Sequence, residues 1–254
     1  MDSILQIQQI TKRYGGMIVN RDVTFEIPRG SVTGVIGPNG AGKTTLFNLV
    51  TGYVRPDSGT VFLDGKDITG LAPHRIVRAG ISRTFQLVRV FPRLSLLDNV
   101  MMGYLDLPGN TLPSSIFTFR RKGKYEQYRE HARALLDYVG LSKYEQGYAN
   151  DLSYGQQKLV EIGRALASDP KILLLDEPLA GLNVTIIDKM LRLISDMKQS
   201  GKTVIIIEHN TEIMRQICDQ ITVLNFGEVI ASGDAATVFA DPVVIDSYLG
   251  TTNE

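Results

Sequence analysis

The sequence predicts an α/β fold organised around a parallel β-sheet. Two uninterrupted apolar runs, Ile172 to Leu175 and Val204 to Ile207, consist of leucine and β-branched residues, as strands buried on both faces do. Between them, Ile186 to Met197 repeats apolar residues at helical spacing and is followed by Gly201, which is typical of a helix end. A strand, a helix and a second buried strand in this order predict a right-handed βαβ unit.

The first third of the chain predicts mainly strands. Alternating or clustered β-branched residues indicate strands at Ile4 to Ile7 and Val23 to Ile27, and an apolar run that ends in glycine indicates a third at Val32 to Ile36. Lys43 to Val50 has a helical pattern that stops at a glycine. A further strand, Val61 to Leu63, meets an Asp-Gly pair, which favours a hairpin turn.

Helical patterns replace strands between about residues 86 and 167. Tyr125 to Val139 repeats apolar residues at helical spacing, and a second helix is predicted from after Ser153 to Ser168. Leu105 to Gly123 contains prolines, glycines and a basic triplet, and predicts an insertion or loop. A basic triplet by itself is typical of a solvated surface.

Composition excludes several classes of protein. The 27 Lys plus Arg residues balance the 27 Asp plus Glu residues among 254, so the basic excess of a nucleic-acid binder is missing. The longest stretches without a charged residue, Gly30 to Gly42 and Leu107 to Phe119, are 13 residues long, whereas a bilayer-spanning helix needs roughly 20. Residues 1–20 lack the pattern of an export signal, and Cys218 has no second cysteine for an internal disulfide. We therefore expect an unexported protein that does not cross a membrane.

A phosphate-binding loop is the strongest single motif. Gly37-Pro38-Asn39-Gly40-Ala41-Gly42-Lys43-Thr44 matches G-x-x-x-x-G-K-[ST] between a predicted strand and a predicted helix. Its glycines let backbone N–H groups surround a phosphate chain, and the helix N-terminus favours an anion. Lys43 is predicted to reach the β- and γ-phosphates of a nucleotide, and the Thr44 hydroxyl to bind Mg²⁺. The alternative is a glycine-rich turn with a purely structural role.

A carboxylate pair follows the predicted strand at 172–175. Such a loop needs a second carboxylate for the metal, placed at the end of a buried strand, and Asp176 occupies that position. Glu177 can orient or deprotonate the attacking water. Taken alone, an acidic pair after an apolar run more often marks the start of a loop, but together with the phosphate-binding loop it indicates nucleotide hydrolysis.

A third motif carries a family resemblance. Leu152-Ser153-Tyr154-Gly155-Gln156-Gln157, about 20 residues before Asp176, resembles the LSGGQ signature of ATP-binding cassette (ABC) ATPases, with Tyr154 in place of the usual glycine. Tyr14, Gln86 and His209 resemble the family's adenine-stacking aromatic residue, Q-loop glutamine and switch histidine. Each of these three would be an ordinary packing or surface residue by itself; their order and spacing point to the family. The D-loop departs from the family, because Asn183 stands where an aspartate is usual.

The resemblance to ABC ATPases implies a RecA-like P-loop core, an N-terminal antiparallel β subdomain and an inserted helical subdomain. The core is predicted at residues 1–86 and 165–254, and the helical subdomain at 87–164. The family forms a head-to-tail dimer that holds two ATP molecules, each site combining residues of both chains. Ser153, as the N-cap of a helix, is then expected to face the partner's γ-phosphate.

The motifs and the resemblance together assign the site residues. Nucleotide contacts are expected from Tyr14, Gly37, Pro38, Asn39, Gly40, Ala41, Gly42, Lys43, Thr44, Thr45, Ser153, Gly155 and Gln156. Catalytic roles are expected for Lys43, Gln86, Glu177 and His209. Mg²⁺ coordination is expected from Thr44, Gln86 and Asp176.

Several segments narrow the resemblance within the family. Arg83-Thr84-Phe85-Gln86, the insertion that ends Phe117-Thr118-Phe119-Arg120-Arg121, the loop Ala180-Gly181-Leu182-Asn183 and the tail from Asp241 to Gly250 resemble ATP-binding subunits of branched-chain amino acid importers, of the LivG type. ATPases of urea importers and lipopolysaccharide exporters are similar in several of these places. A soluble ABC ATPase would normally be longer, and a non-hydrolysing scaffold would be expected to lose Glu177 or His209.

The importer resemblance also implies partners. A second ATP-binding subunit, identical or paralogous, separate transmembrane permease subunits and, indirectly, an external solute-binding protein are expected, with this chain at the cytoplasmic face of the membrane. In related importers a short permease helix docks beside the Q-loop, which here points to Gln86 to Val100. Five apolar residues are available there or else build the local core: Val88, Val90, Phe91, Leu94 and Leu96.

Overall fold

The structure, a computed structural model, describes residues 2–105 and 118–246, with side chains from residue 123 onward in the second range. The predicted loop at Leu105 to Gly123 falls largely outside these residues, as do the basic triplet's side chains and the last part of the family-like tail, Ser247 to Gly250. One part of that prediction is wrong, because residues 118–123 already belong to a helix.

Ten strands form two sheets in the described residues. The antiparallel sheet has the order β2-β1-β4-β5 and the main sheet the order β10-β9-β3-β8-β7-β6. Neighbours in the main sheet are parallel except β9 and β10, which form an antiparallel hairpin. The strands are β1 Ser3–Tyr14, β2 Met17–Pro28, β3 Val32–Ile36, β4 Ser58–Leu63, β5 Lys66–Asp67, β6 Ile81–Arg83, β7 Ile172–Asp176, β8 Thr203–Ile207, β9 Gln220–Asn225 and β10 Glu228–Asp234.

Helices cover the main sheet and fill the sequence between β6 and β7. The α-helices are α1 Lys43–Val50, α2 Pro73–Ala79, α3 Leu96–Met101, α4 Thr118–Tyr138, α5 Tyr154–Leu166, α6 Val184–Gln199, α7 Thr211–Ile217, α8 Ala235–Ala240 and α9 Pro242–Val244. Single 3₁₀ turns occupy Ser142–Tyr144 and Ala149–Asp151. Within 2–105 and 118–246, no helix combines the length and apolar character that a bilayer-spanning helix needs.

The three central strands of the main sheet are buried on both faces. Every residue of β3, β7 and β8 is buried. Alternate residues point into two different cores, as the period of two in a strand requires. The core on the helical side receives Val32, Ile36, Leu173, Leu175, Val204 and Ile206. The core shared with the antiparallel sheet and α1 receives Val35, Ile172, Leu174, Ile205 and Ile207. The predicted βαβ unit, β7-α6-β8, is therefore confirmed as a buried parallel pair.

Strands β1 and β2 of the antiparallel sheet are longer than the sequence predicted, because one face of the sheet is exposed. In β1 and β2 buried and exposed residues interleave, because one face packs on the core and the other meets solvent. Polar residues can therefore continue the strand beyond the apolar segments at 4–7 and 23–27. The three-residue edge strand β6 was not predicted, since Ile81-Ser82-Arg83 is too short to show alternation.

Parallel pairing gathers one end of several strands at the same edge. The phosphate-binding loop follows β3, the carboxylate pair ends β7, and His209 lies two residues after β8. Gln86 lies three residues after β6, which pairs with β7 in parallel. Ligands of open α/β sheets bind beyond the carboxyl ends of the strands, so this edge is where a site is expected.

The contact between α3 and α5 yields a stability prediction. A Cβ atom at Gly103, just after α3, would lie 2.0 Å from the backbone oxygen of Arg164, whereas one at Gly163 in α5 would meet the Val100 side chain at 3.4 Å. Gly103→Ala should therefore lower the free energy of unfolding by about 1–3 kcal/mol, because backbone must move. Gly163→Ala, the matched control, should leave it unchanged or raise it by up to about 1 kcal/mol, since alanine favours a helix interior.

Urea unfolding followed by circular dichroism measures both variants. A Gly103→Ala protein as stable as the wild type would show that α3 and α5 do not approach as closely as described.

Candidate active site

The loop between β3 and α1 is closed around its own lysine. The Lys43 Nζ atom donates to the backbone oxygens of Gly37 at 2.7 Å and Pro38 at 2.9 Å, and the side chain is buried. Burial lowers the pKa of Lys43, against the opposing influence of the Glu177 and Asp176 carboxylates. A cationic side chain thus lies inside a loop of backbone amides.

Two glycines in this loop are required by close backbone approach. A Cβ atom at Gly37 would lie 2.0 Å from the Leu224 oxygen, and one at Gly42 would lie 2.6 Å from the Val19 oxygen. Both residues also have positive φ angles, 150° and 96°. The tight wrap of the loop therefore depends on glycine at these positions.

Asp176 lies at the end of β7 in a buried ion pair with Arg83. Its Oδ2 atom accepts from Arg83 Nη2 at 2.6 Å, and Arg83 Nη1 also donates to Asn48 Oδ1 at 2.7 Å. The Asp176 Oδ1 atom is buried and has no hydrogen-bond partner among the described residues. Arg83 was predicted only as part of a family-like segment, and its pairing with Asp176 was not predicted, since nothing in the chain order shows that β6 and β7 lie side by side.

The surroundings of Asp176 fit a metal ion that takes few ligands from the protein and its remaining ligands from water and phosphate. The unpartnered Oδ1 oxygen is available as a ligand, and Thr44 exposes its side chain at the start of α1. Across residues 2–105 and 118–246, no group of three His, Cys, Asp or Glu residues is arranged to hold a metal. So few protein ligands suit an ion such as Mg²⁺, which is held largely by water and phosphate oxygens.

Glu177 is the point where three predicted catalytic residues meet. Its Oε2 atom accepts from Gln86 Nε2 at 2.8 Å, and its Oε1 atom lies 3.0 Å from His209 Nε2. The backbone of Glu177 has φ 48°, an unusual value for a residue with a side chain. From this turn the carboxylate reaches both Gln86 and His209.

Gln86, Glu177 and His209 line one open cleft of about 270 Å³ together with the phosphate-binding loop, whereas buried Asp176 lies outside its lining. The cleft brings together residues that are far apart in the sequence, from the phosphate-binding loop, the end of β7 and the segments after β6 and β8. Its lining consists of Val19, Asn39, Gly40, Ala41, Gly42, Lys43, Thr44, Thr45, Gln86, Glu177 and His209. Val19 on β2 was not predicted, and an isolated valine offers no sequence signal for such a position.

Tyr14 and the signature residues lie outside this lining. Tyr14 ends β1, is 49% exposed and has the Lys12 Nζ atom 5.5 Å from its ring centroid. Ser153 is exposed and caps α5: it accepts from the Gln156 N–H at 3.4 Å, and the Gln156 side chain accepts from the Ser153 N–H at 3.0 Å. The N-cap prediction for Ser153 is confirmed.

Tyr154, the departure from the signature, contacts the segment that carries Gln86. Its hydroxyl donates to the Gln86 backbone oxygen at 3.3 Å, and the Lys158 Nζ atom lies 5.3 Å from its ring centroid. Glycine could make neither contact, so the tyrosine ties the start of α5 to the Q-loop of the same chain.

Asn183, the departure in the D-loop, caps α6. Its Oδ1 atom accepts from the Ile186 N–H at 3.0 Å. An aspartate can make the same bond, so the amide preserves the local structure while removing a negative charge.

The apolar residues beside Gln86 divide into surface and core. Leu96 is completely buried in the helical core, and Val90 packs against that core. Phe91 and Leu94 remain exposed, as does Leu87, which sequence analysis did not single out and which is 77% exposed. Leu96 is therefore a core residue and is not available for docking.

The loop between buried β3 and α1 is rich in glycine and encloses its own lysine, and a carboxylate pair lies at the end of β7, two strands away in the sheet. Together these features define a P-loop nucleotide-binding fold. Known proteins narrow this class. The family described as "ABC transporter" matches residues 20–180, and one described as "Branched-chain amino acid ATP-binding cassette transporter" matches residues 228–252.

Three curated relatives match over nearly their whole length, each 38% identical to this chain. Over 251 residues, 97% of this chain and 98% of the relative, it is similar to the high-affinity branched-chain amino acid transport ATP-binding protein BraF of Pseudomonas aeruginosa. Over 250 residues, 97% and 95%, it is similar to the probable branched-chain amino acid transport ATP-binding protein LivG of Archaeoglobus fulgidus. Over 252 residues, 98% of each, it is similar to the lipopolysaccharide export system ATP-binding protein LptB of Acidithiobacillus ferridurans.

Solved structures agree with the fold. A nucleotide-free ATP-binding cassette of an ABC transporter superposes with a TM-score of 0.85 at 34% identity, covering 97% of this chain and 99% of that one. A dimeric cassette in a post-hydrolysis state, bound to ADP and Pi, has a TM-score of 0.75 at 27% identity, covering 91% and 98%. The chain belongs to the ABC transporter family and is an ATP-binding subunit with the family's ATP-hydrolysing activity.

The Asn183 cap yields the next prediction. Asn183→Ala should lower the free energy of unfolding by about 0.5–2 kcal/mol, because the Ile186 N–H loses its acceptor at the start of α6. Asn183→Asp should stay within about 0.5 kcal/mol of the wild type, since a carboxylate caps a helix equally well. Denaturant unfolding of the three proteins measures this, and an alanine variant of unchanged stability would contradict the capping role.

Proposed function

We propose that this chain binds Mg-ATP in the described cleft, hydrolyses it, and so drives the uptake of branched-chain amino acids through separate permease subunits. The contact of Glu177 with both Gln86 and His209, at the cleft that Lys43 enters, carries the hydrolytic part. The names of the relatives and the separate match at residues 228–252 support the transported solute.

Phosphate binding is the proposed role of the loop and its lysine. Lys43 exchanges its bonds to the Gly37 and Pro38 oxygens for bonds to phosphate oxygens, while the loop's N–H groups and the α1 N-terminus add positive potential. Thr44, Gln86 and the free Oδ1 of Asp176 would hold Mg²⁺, which when bound neutralises charge on the phosphates. Arg83 keeps the second Asp176 oxygen occupied, which fixes the carboxylate's orientation.

Water activation is the proposed role of Glu177. Its carboxylate accepts the proton of an attacking water that lies in the cleft, and His209 holds the Oε1 side in place. Gln86 gives up its bond to Glu177 when its side chain turns to the ion. The Gln86–Glu177 hydrogen bond is therefore present when Gln86 is turned toward the carboxylate and absent when it is turned toward the metal.

Completion of the site by a second ATP-binding subunit, identical or paralogous, explains the position of the signature. Ser153, Gly155 and Gln156 do not line the cleft of their own chain, while Ser153 is exposed at the N-terminus of α5. A helix N-terminus with a serine cap suits a γ-phosphate presented from outside. The similar dimeric cassette supports this arrangement, and Tyr14 is proposed to stack on the adenine at the outer end of the cleft.

Association with the membrane is proposed to use permease subunits, at the cytoplasmic face. Residues 87–164 are proposed as the helical subdomain, and exposed Leu87, Phe91 and Leu94 offer an apolar surface beside the Q-loop for a permease helix. The solute-binding protein acts only through the permease. The balanced charge supports no role for nucleic acid. The similarity to LptB keeps lipopolysaccharide export as the second candidate.

Uptake measurements test the transported solute. In a strain without this gene, uptake of radiolabelled leucine, isoleucine and valine should be lost, and the wild-type gene should restore it. Lys43→Ala should restore less than a tenth of it, because the loop loses its phosphate-binding charge. Lys66→Ala, which changes an exposed lysine of β5, should restore it fully. Unimpaired amino acid uptake in the deletion strain would contradict the import function.

Dimer formation tests the composite site. Glu177→Gln keeps the size of the side chain but removes its basicity, so hydrolysis should fall at least a hundredfold while ATP still binds. Because ATP then persists, this variant should elute as a dimer with Mg-ATP in size-exclusion chromatography, and the wild type with ADP as a monomer. Adding Ser153→Glu should return it to a monomer, since a carboxylate would face the partner's γ-phosphate.

Two outcomes separate the parts of this proposal. A Glu177→Gln chain that hydrolyses ATP at the wild-type rate would refute the role of Glu177. A double variant that still dimerises would refute the contribution of Ser153 across the interface.

A further inference from the structure

Lys158, in the second turn of α5, is a buried cation that the proposed mechanism does not use. Its side chain is 3% exposed, and its Nζ atom donates to the backbone oxygens of Glu177 at 2.7 Å and Ala180 at 3.4 Å. A buried ammonium group is costly unless it is paired and hydrogen-bonded. A leucine or methionine would fill this core position at lower cost, so the retained charge points to a specific task.

Carboxylates on several elements act on the charge of Lys158. Desolvation lowers the pKa of Lys158, and four carboxylates oppose that shift: Glu208, Glu161, Glu177 and Asp176. They belong to the residue after β8, to α5 itself and to the end of β7 with the residue after it. The hydrogen bonds of the ammonium, however, go to the backbone of the turn that follows β7.

Lys158 bonds to the turn at residues 177–180, whose backbone carries the Glu177 side chain. This turn holds Glu177 at φ 48° and leaves its carbonyl oxygen to accept from Lys158 and, at 3.4 Å, from the Ala180 N–H. On the other side, buried Glu208 accepts from the Leu179 N–H at 2.7 Å. The turn from 177 to 180 is therefore held between a cation of α5 and an anion after β8.

We propose that Lys158 is a positioning residue for hydrolysis: by fixing the carbonyl oxygens of Glu177 and Ala180, it sets the direction of the Glu177 carboxylate. The inference rests on the proposed role of Glu177 as the group that accepts the water's proton. Lys158 does not line the cleft, and it acts only through the backbone that carries Glu177.

The face of α5 that carries Lys158 also contacts Gln86, a side-chain partner of Glu177. Tyr154 lies one turn before Lys158 and donates to the Gln86 oxygen. One face of α5 therefore holds the backbone of both Gln86 and Glu177, whose side chains are bonded to each other. A displacement of α5, which the signature serine Ser153 caps, therefore changes the geometry of the Gln86–Glu177 pair.

Steady-state ATP hydrolysis by the purified full chain tests the inference. Lys158→Met keeps a long side chain and removes the ammonium, so kcat should fall at least tenfold, while KM for ATP and the affinity for a fluorescent ATP analogue stay within twofold. Lys158→Arg, which keeps a cationic donor, should recover a measurable part of kcat. Lys202→Met is the matched control, because Lys202 bonds the Pro170 oxygen and Asp169 near the opposite end of β8.

Single-turnover hydrolysis of radiolabelled ATP in the Glu177→Gln background shows whether Lys158 acts through Glu177. If it does, adding Lys158→Met should change the residual rate less than twofold, because the group being positioned is already inactive. A tenfold further loss in that background would overturn the inference, and so would a Lys158→Met chain with wild-type kcat. If Lys158→Met is too unstable to assay, Lys158→Gln is measured against the same two outcomes.

Failure of this inference differs from failure of the proposed function. If Glu177→Gln hydrolyses ATP at the wild-type rate, the assigned role of Glu177 is wrong, whatever Lys158 does. If Glu177→Gln is inactive and Lys158→Met is normal, only the positioning role is wrong.

Discussion

Parallel pairing of buried strands is the constraint on which the rest of the molecule depends. β3, β8, β7 and β6 run in the same direction, so the segments that follow them meet at one edge of the sheet. Because three of these strands are buried on both faces, a one-residue slip would move side chains from one core into the other. The packing of the two cores therefore fixes how far Lys43 lies from Glu177, and Glu177 from His209.

The elements whose local sequence pattern agrees with their tertiary role were predictable. β3 and α1 have the predicted bounds, and β7 and β8 differ by one residue, since a fully buried strand is apolar throughout. The strand β6 and the Arg83–Asp176 pair were not predictable, because both exist only once distant segments pair. The cleft residues were predictable from motifs whose spacing is fixed by mechanism, whereas the exposure of Tyr14 and the burial of Leu96 depend on packing that a single sequence does not display.

Charge inside the site is balanced through the backbone as much as through ion pairs. Among the residues that the structure describes, the buried lysines Lys43 and Lys158 both donate to carbonyl oxygens of turns, while Asp176 pairs directly with the Arg83 guanidinium. A turn fixed by a charged hydrogen bond holds its shape more firmly than one fixed by neutral bonds. The shape of the loop after β3 and of the turn after β7 therefore depends on charged side chains that bond to backbone oxygens.

The bonds that Lys43 makes to its own loop have a consequence for nucleotide exchange. If Lys43 binds phosphate as proposed, an entering phosphate competes with the Gly37 and Pro38 oxygens for the same ammonium protons. Affinity is then the difference between two sets of strong contacts, and departure of the product lets the lysine return to a satisfied state at once. Under the proposed role of Lys43, the cost of releasing a phosphate is partly offset by the bonds that the lysine re-forms with its own loop.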